Sequence, residues 1–134
     1  MAPMSENATG TFDITGWDEK ATEERTGAKM DRVIVGKVFQ GDLTGTSTTE
    51  LLSVHTEAGP AAYVALEHFE GTLHGRQGTF VLQHSAGATD GVQWLKWQIV
   101  PTSGTSELKG LRGEGQIIVG PDGGHSYTLG YELD

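Results

Sequence analysis

Apolar and polar residues alternate with a period of two over most of the chain, the spacing that sends successive side chains to opposite faces of a β-strand. In residues 8–17, Phe12 and Ile14 alternate with Thr11, Asp13 and Thr15, which predicts a first strand. Similar runs predict strands over residues 32–40, 43–55, 61–69, 79–85, 92–101, 116–119 and 125–133. Between them Gly41-Asp42, Glu57-Ala58-Gly59-Pro60, residues 71–78, residues 87–91 and Pro121-Asp122-Gly123-Gly124 carry the residues that turns demand. Residues 18–31 are densely charged, contain Gly27 and have a weak apolar pattern, so they are expected as a mobile surface loop and a candidate lid.

Eight strands are enough to close a small barrel whose interior holds side chains or one ligand. No long helical periodicity separates them, which disfavours crossover helices and a parallel sheet. The expected fold is therefore all-β, a single antiparallel eight-stranded barrel with meander connections. Residues 8–134 form the barrel domain in this reading, and residues 1–7 a flexible tail.

The length of 134 residues suits one domain. A formal charge of −9 disfavours nucleic acid and anionic membrane surfaces as partners, since both need positive charge to displace counterions. The absence of cysteine removes disulfides, zinc–thiolate sites and thiol nucleophiles. The first seven residues lack the basic start and apolar stretch of a secretory signal, and a cytoplasmic location is expected.

Residues 104–115 read Gly-Thr-Ser-Glu-Leu-Lys-Gly-Leu-Arg-Gly-Glu-Gly. This stretch resembles the turn before a late strand in allene-oxide cyclases and dirigent proteins. More broadly, residues 10–133 resemble a family of uncharacterised small bacterial proteins with that allene-oxide-cyclase-like, calycin-type barrel. The likeness is carried by Gly10-Thr11-Phe12, Trp17-Asp18-Glu19, Phe39-Gln40-Gly41-Asp42-Leu43, Gly45-Thr46-Ser47-Thr48, residues 78–84 and the Gly-Leu-Arg-Gly motif. The resemblance implies the barrel fold; a cyclisation carried over from the named enzymes is an analogy of fold.

Alternation places Tyr63, Ala65, Glu67 and Phe69 on one face of the fourth strand, and Phe80, Leu82 and His84 on one face of the fifth. Both faces read as inward, together with Trp97, Tyr127 and Tyr131. Glu67 and His84 are the candidate catalytic pair, because a carboxylate and an imidazole in an apolar barrel have altered proton affinities and can relay a proton. Counting from the turn does not set them directly opposite, so contact requires strand tilt, a water or a bulge. The competing reading has Glu67 paired with Arg112 and His84 bonded to a backbone carbonyl, both as fixtures of a polar core.

Phe12, Tyr63, Phe80, Trp97, Arg112, Tyr127 and Tyr131 are candidate ligand-binding residues, with core packing as the alternative for the aromatic ones and a wall-bracing salt bridge for Arg112. Trp94 alternates with Lys96 and Gln98, reads as outward and suggests a homo-oligomer contact. The five histidines show no ligand spacing on one strand, so no metal is expected, and no nucleotide loop or other cofactor motif is present. The functional expectation is a barrel that encloses a small hydrophobic molecule and acts on it as an isomerase or cyclase. Its rival is a non-catalytic carrier or a structural barrel with a filled core.

Overall fold

In the computed structural model, which describes residues 6–134, eight antiparallel strands close into one barrel in chain order. They are β1 (Glu6–Arg25), β2 (Ala28–Gly41), β3 (Leu43–Thr56), β4 (Ala61–Leu73), β5 (Arg76–Thr89), β6 (Val92–Ile99), β7 (Arg112–Val119) and β8 (His125–Glu132). β1 pairs with β2 along its length and with β8 over residues Glu6–Phe12, which closes the sheet into a barrel. Strand pairing begins at Glu6, inside the expected tail; residues 1–5 of that tail lie outside the described residues.

The charged segment expected as a loop and lid is strand. Past Phe12, where pairing with β8 ends, β1 continues along β2 as far as the pair Arg25↔Ala28, turning at Gly27 with φ 82°, while β2 stays paired to β3 over the same length. This part of β1 is a sheet edge that no strand covers on its far side, which explains why its sequence lacks alternation: residues 13–26 are all exposed. Two bulges, between Ile14 and Gly16 and between Glu19 and Ala21, insert one residue each into β1. The first lets Trp17 and Glu19 follow Phe12 and Ile14 along the same inner side.

The broad turns expected at residues 71–78 and 87–91 are also tighter than their glycines suggested. β4 and β5 pair without a break to Leu73↔Arg76, and only His74 and Gly75, with φ 47° and 80°, make the turn. Asp90 and Gly91 do the same between β5 and β6, with φ 51° and 78°. Two residues at positive φ are the geometry that matches the twist of a hairpin. Gly78 serves a different purpose, because a Cβ there meets the Thr105 carbonyl oxygen at 2.2 Å.

That contact belongs to a plug. The chain between β6 and β7 crosses one end of the barrel through a single 3-10 turn, Ser106–Leu108, and presses Leu108 and Leu111 into the interior, both fully buried. Thr105 ties the plug to β5 by accepting from the Thr79 backbone N–H at 3.0 Å. Behind it Phe39, Leu43, Phe69, Leu73, Phe80 and Leu129 pack as one apolar cluster, with Phe39 and Phe69 edge to face at 5.5 Å and 85°. This end of the barrel is filled. Among the described residues no helix is long and apolar enough to cross a membrane, which leaves open what a barrel does.

Candidate functional site

The opposite end is open. There the inward positions of β4 and β5 change from Phe69, Leu73, Phe80 and Leu82 to Ala61, Ala86 and Ala88, and a cavity of about 990 Å³ takes the place of the missing side chains. Its walls are mainly apolar, from Phe12, Ile14, Val33, Val35, Leu51 and Ile117, with Glu19, Lys29, Asp31, His55 and His125 also in the lining. Its floor is polar, and Lys37, Thr49 and His84 reach it from β2, β3 and β5.

Strand register explains why these groups converge. Lys37 lies opposite Ser47, Thr49 opposite Glu67, Ala65 opposite His84 and His84 opposite Trp97, so one inward layer on five adjacent strands carries the buried polar side chains of the described residues. Glu67 sits at the centre of that layer, fully buried and just beneath the cavity lining. Its Oε1 lies 2.6 Å from His84 Nε2 and accepts from Trp97 Nε1 at 3.2 Å, while Oε2 accepts from Ser47 Oγ at 2.5 Å. Lys37 Nζ stands 3.3 Å from each carboxylate oxygen and 4.7 Å from the centre of the Phe12 ring.

Burial alone pushes the Glu67 carboxyl toward its neutral form. The His84 hydrogen bond, the Lys37 charge and the Ser47 hydroxyl outweigh it and hold the pKa at about 2. Glu67 is therefore a carboxylate at neutral pH, and a carboxylate only accepts, so His84 Nε2 carries a hydrogen. In the neutral ring the lone pair is then on Nδ1, which has no hydrogen-bond partner among the described residues. Tyr63, whose ring centre is 6.2 Å from that of His84, has its phenol pKa raised by burial and by the Glu67 charge. Thr49 Oγ1 is buried without any partner among the described residues.

The contact between Glu67 and His84 needs no bulge or bridging water. Glu67 pairs with Leu82, two positions from His84, and the two side chains meet along the diagonal of an unbroken ladder. The proposed pairing of Glu67 with Arg112 does not occur. Arg112 Nη2 instead donates to Glu132 at 2.9 Å and Asp134 at 3.2 Å, with its side chain 43% exposed at the plugged end.

Of the other residues singled out in the sequence, Phe12 and Tyr63 line the cavity. Trp97 lies under it, bonded to Glu67. Phe80, Tyr127 and Tyr131 are buried in the filled half. There the Tyr127 hydroxyl accepts from the Leu43 N–H at 2.8 Å, and the Tyr131 hydroxyl bonds His74 Nδ1. Trp94, read in the sequence as outward, is half exposed, lies across Gly87, where a Cβ meets its Nε1 at 2.8 Å, and also belongs to the cavity lining. Lys37, Ser47 and Thr49 escaped the sequence reading. For Lys37 the signal was present, since it alternates with Val33, Val35 and Phe39 and so takes an inward place. Among the described residues no three His, Asp or Glu side chains come together as a metal site.

No curated protein sequence matches the chain. Its fold is similar to the crystal structure of a protein of unknown function from Shewanella oneidensis MR-1, with a TM-score of 0.89 and 37% identity over 96% of this chain and 97% of that one. That protein is described as a member of the DUF3224 family, and the profile of the same family, a protein of unknown function, matches residues 8–131 here. The chain belongs to the DUF3224 family.

Proposed function

We propose that the open half of the barrel binds one small, mainly apolar molecule and that His84 exchanges a proton with it. The observation that carries this reading is His84 itself: only 3% exposed, clamped through Nε2 to a buried carboxylate, and part of the floor of an apolar cavity. A cavity of about 990 Å³ is at the upper end of the range that encloses small ligands. Apolar walls with a few fixed polar groups supply affinity and orientation respectively.

Glu67 is a positioning residue in this scheme, since it lies behind the floor. It fixes the His84 tautomer and stabilises the imidazolium that forms when Nδ1 takes a proton, the role a carboxylate plays behind a catalytic histidine. Returning that proton to another atom of the bound molecule is an isomerisation, and the confined shape holds a flexible ligand near the reacting conformation. The Gly-Leu-Arg-Gly stretch that resembles allene-oxide cyclases forms part of the plugged end, so it bears on the fold and not on this chemistry. The filled-core alternative fits the plugged half alone.

The test is titration with a neutral naphthalene dye whose emission rises in apolar surroundings. Saturable binding to the parent and its loss in Ala86→Phe, with near-UV circular dichroism showing the variant folded, is the expected result. An absence of binding, or binding untouched by Ala86→Phe, contradicts the proposal.

A further inference from the structure

A base that faces an apolar cavity favours a ligand with a proton to give. His84 Nε2 is committed to Glu67, and Nδ1 is free of protein partners among the described residues. Nor is Nδ1 sealed into the wall: Thr49 Oγ1 is the buried side-chain atom found without a partner there, and His84 lines the cavity. On the same floor Lys37, 7% exposed, brings a positive charge whose only hydrogen-bond partner among the described residues is Glu67. A pure hydrocarbon leaves both groups unmatched, and unmade hydrogen bonds in a dry site are costly. A ligand that enters as a carboxylate adds a net negative charge to a floor where Lys37 and Glu67 already balance, which a neutral O–H donor does not.

The geometry points to a ligand with an apolar ring or chain and one weakly acidic O–H, a phenol or an enol, that donates to His84 Nδ1 and places its oxygen beside Lys37. This rests on the cavity reading above and adds the chemistry of the occupant. When the proton moves to Nδ1, the electron pair of the O–H bond stays on the ligand oxygen. The products are an oxyanion and an imidazolium, so the floor then holds two cations, Lys37 and His84, against two anions, Glu67 and the ligand. The net charge is unchanged, and the new oxyanion meets the Lys37 ammonium in a water-poor site, where such stabilisation is strongest.

The hydroxycoumarin umbelliferone and its methyl ether provide a matched pair of probes, alike in their ring system but with and without the O–H. The parent protein is expected to bind umbelliferone roughly tenfold or more tightly than the ether, the span of one hydrogen bond to a charged or polarised group. The absorption of bound umbelliferone shifts toward its anion relative to the free dye at the same pH. His84→Gln then brings the two affinities together. Equal affinities in the parent, or no shift toward the anion, overturn the inference while leaving the cavity intact. If neither probe binds, the cavity reading falls with it. The comparison within the parent stands even where the variant fails to fold.

Discussion

The two ends of this barrel are built from the same strands, yet one is solid and the other hollow. At the plugged end the inward residues of β4 and β5 are Phe69, Leu73, Phe80 and Leu82, sealed by Leu108 and Leu111. At the open end the same faces carry Ala61, Ala86 and Ala88, with Tyr63 as the one large side chain among them, and the space goes to a cavity of about 990 Å³. Topology and register do not differ between them, so side-chain size at alternate positions decides which half holds the fold and which half is free to hold something else. The Glu67 layer marks the boundary.

The sharpest test of that division of labour is a pair of core changes. Phe80→Ala, in the filled half, is expected to cost about 3–5 kcal/mol in denaturant unfolding, from lost burial plus an unfilled cavity. Ala86→Leu, which extends into existing space, is expected to change stability by less than about 1 kcal/mol. Similar costs for both erase the distinction between the halves.

Next in size is the boundary layer. The folded pKa of Glu67, about 2, lies below its ordinary 4.5. A depressed carboxyl stabilises the fold fully above the unfolded value, and that contribution is lost as pH falls from 4.5 through about 2. The shift corresponds to about 3 kcal/mol at neutral pH. Glu67→Gln should therefore lower neutral-pH stability by that order and flatten the acid limb of the stability profile, measured by urea unfolding across pH. An acid limb of unchanged steepness in the variant places the titration elsewhere.

A smaller effect of opposite sign is expected at Thr49, whose hydroxyl is buried and unpaired. Thr49→Val keeps the shape, removes the unsatisfied group and should raise stability by about 1 kcal/mol in thermal unfolding. A loss of stability shows instead that the hydroxyl is satisfied in solution. The least effect is expected from Arg112→Ala, because its partners are exposed and such pairs frequently contribute nothing measurable. A melting temperature that drops clearly assigns the plugged end an electrostatic brace beyond its apolar packing.

Strand identity was legible from alternation wherever one face is buried, as in the Tyr63, Ala65, Glu67, Phe69 series of β4. It failed in the distal part of β1, where residues 13–25 are all exposed and no pattern is required. The glycines at 71 and 78 misled for another reason: both stand inside continuous strands, and Gly78 makes room for the plug. Glu67 and His84 were legible as inward residues. Their shared contacts were not, because Lys37 and Ser47 come from strands 30 and 20 residues earlier than Glu67 and only the closed register brings them together. The small residues at Ala61, Ala86 and Ala88 were the available signal for the hollow, since inward alanines leave volume that no neighbour fills.

The central claim is that small molecules enter the open half and stop at the Glu67 layer. Mapping a titration of neutral naphthalene dye by amide and methyl NMR shifts examines it residue by residue. The predicted result is a saturable set of shifts centred on Val35, Leu51, Tyr63, His84 and Ile117, with Leu43, Phe69, Phe80 and Leu129 unmoved. Shifts centred on the plugged half, or none at saturating dye, contradict the account.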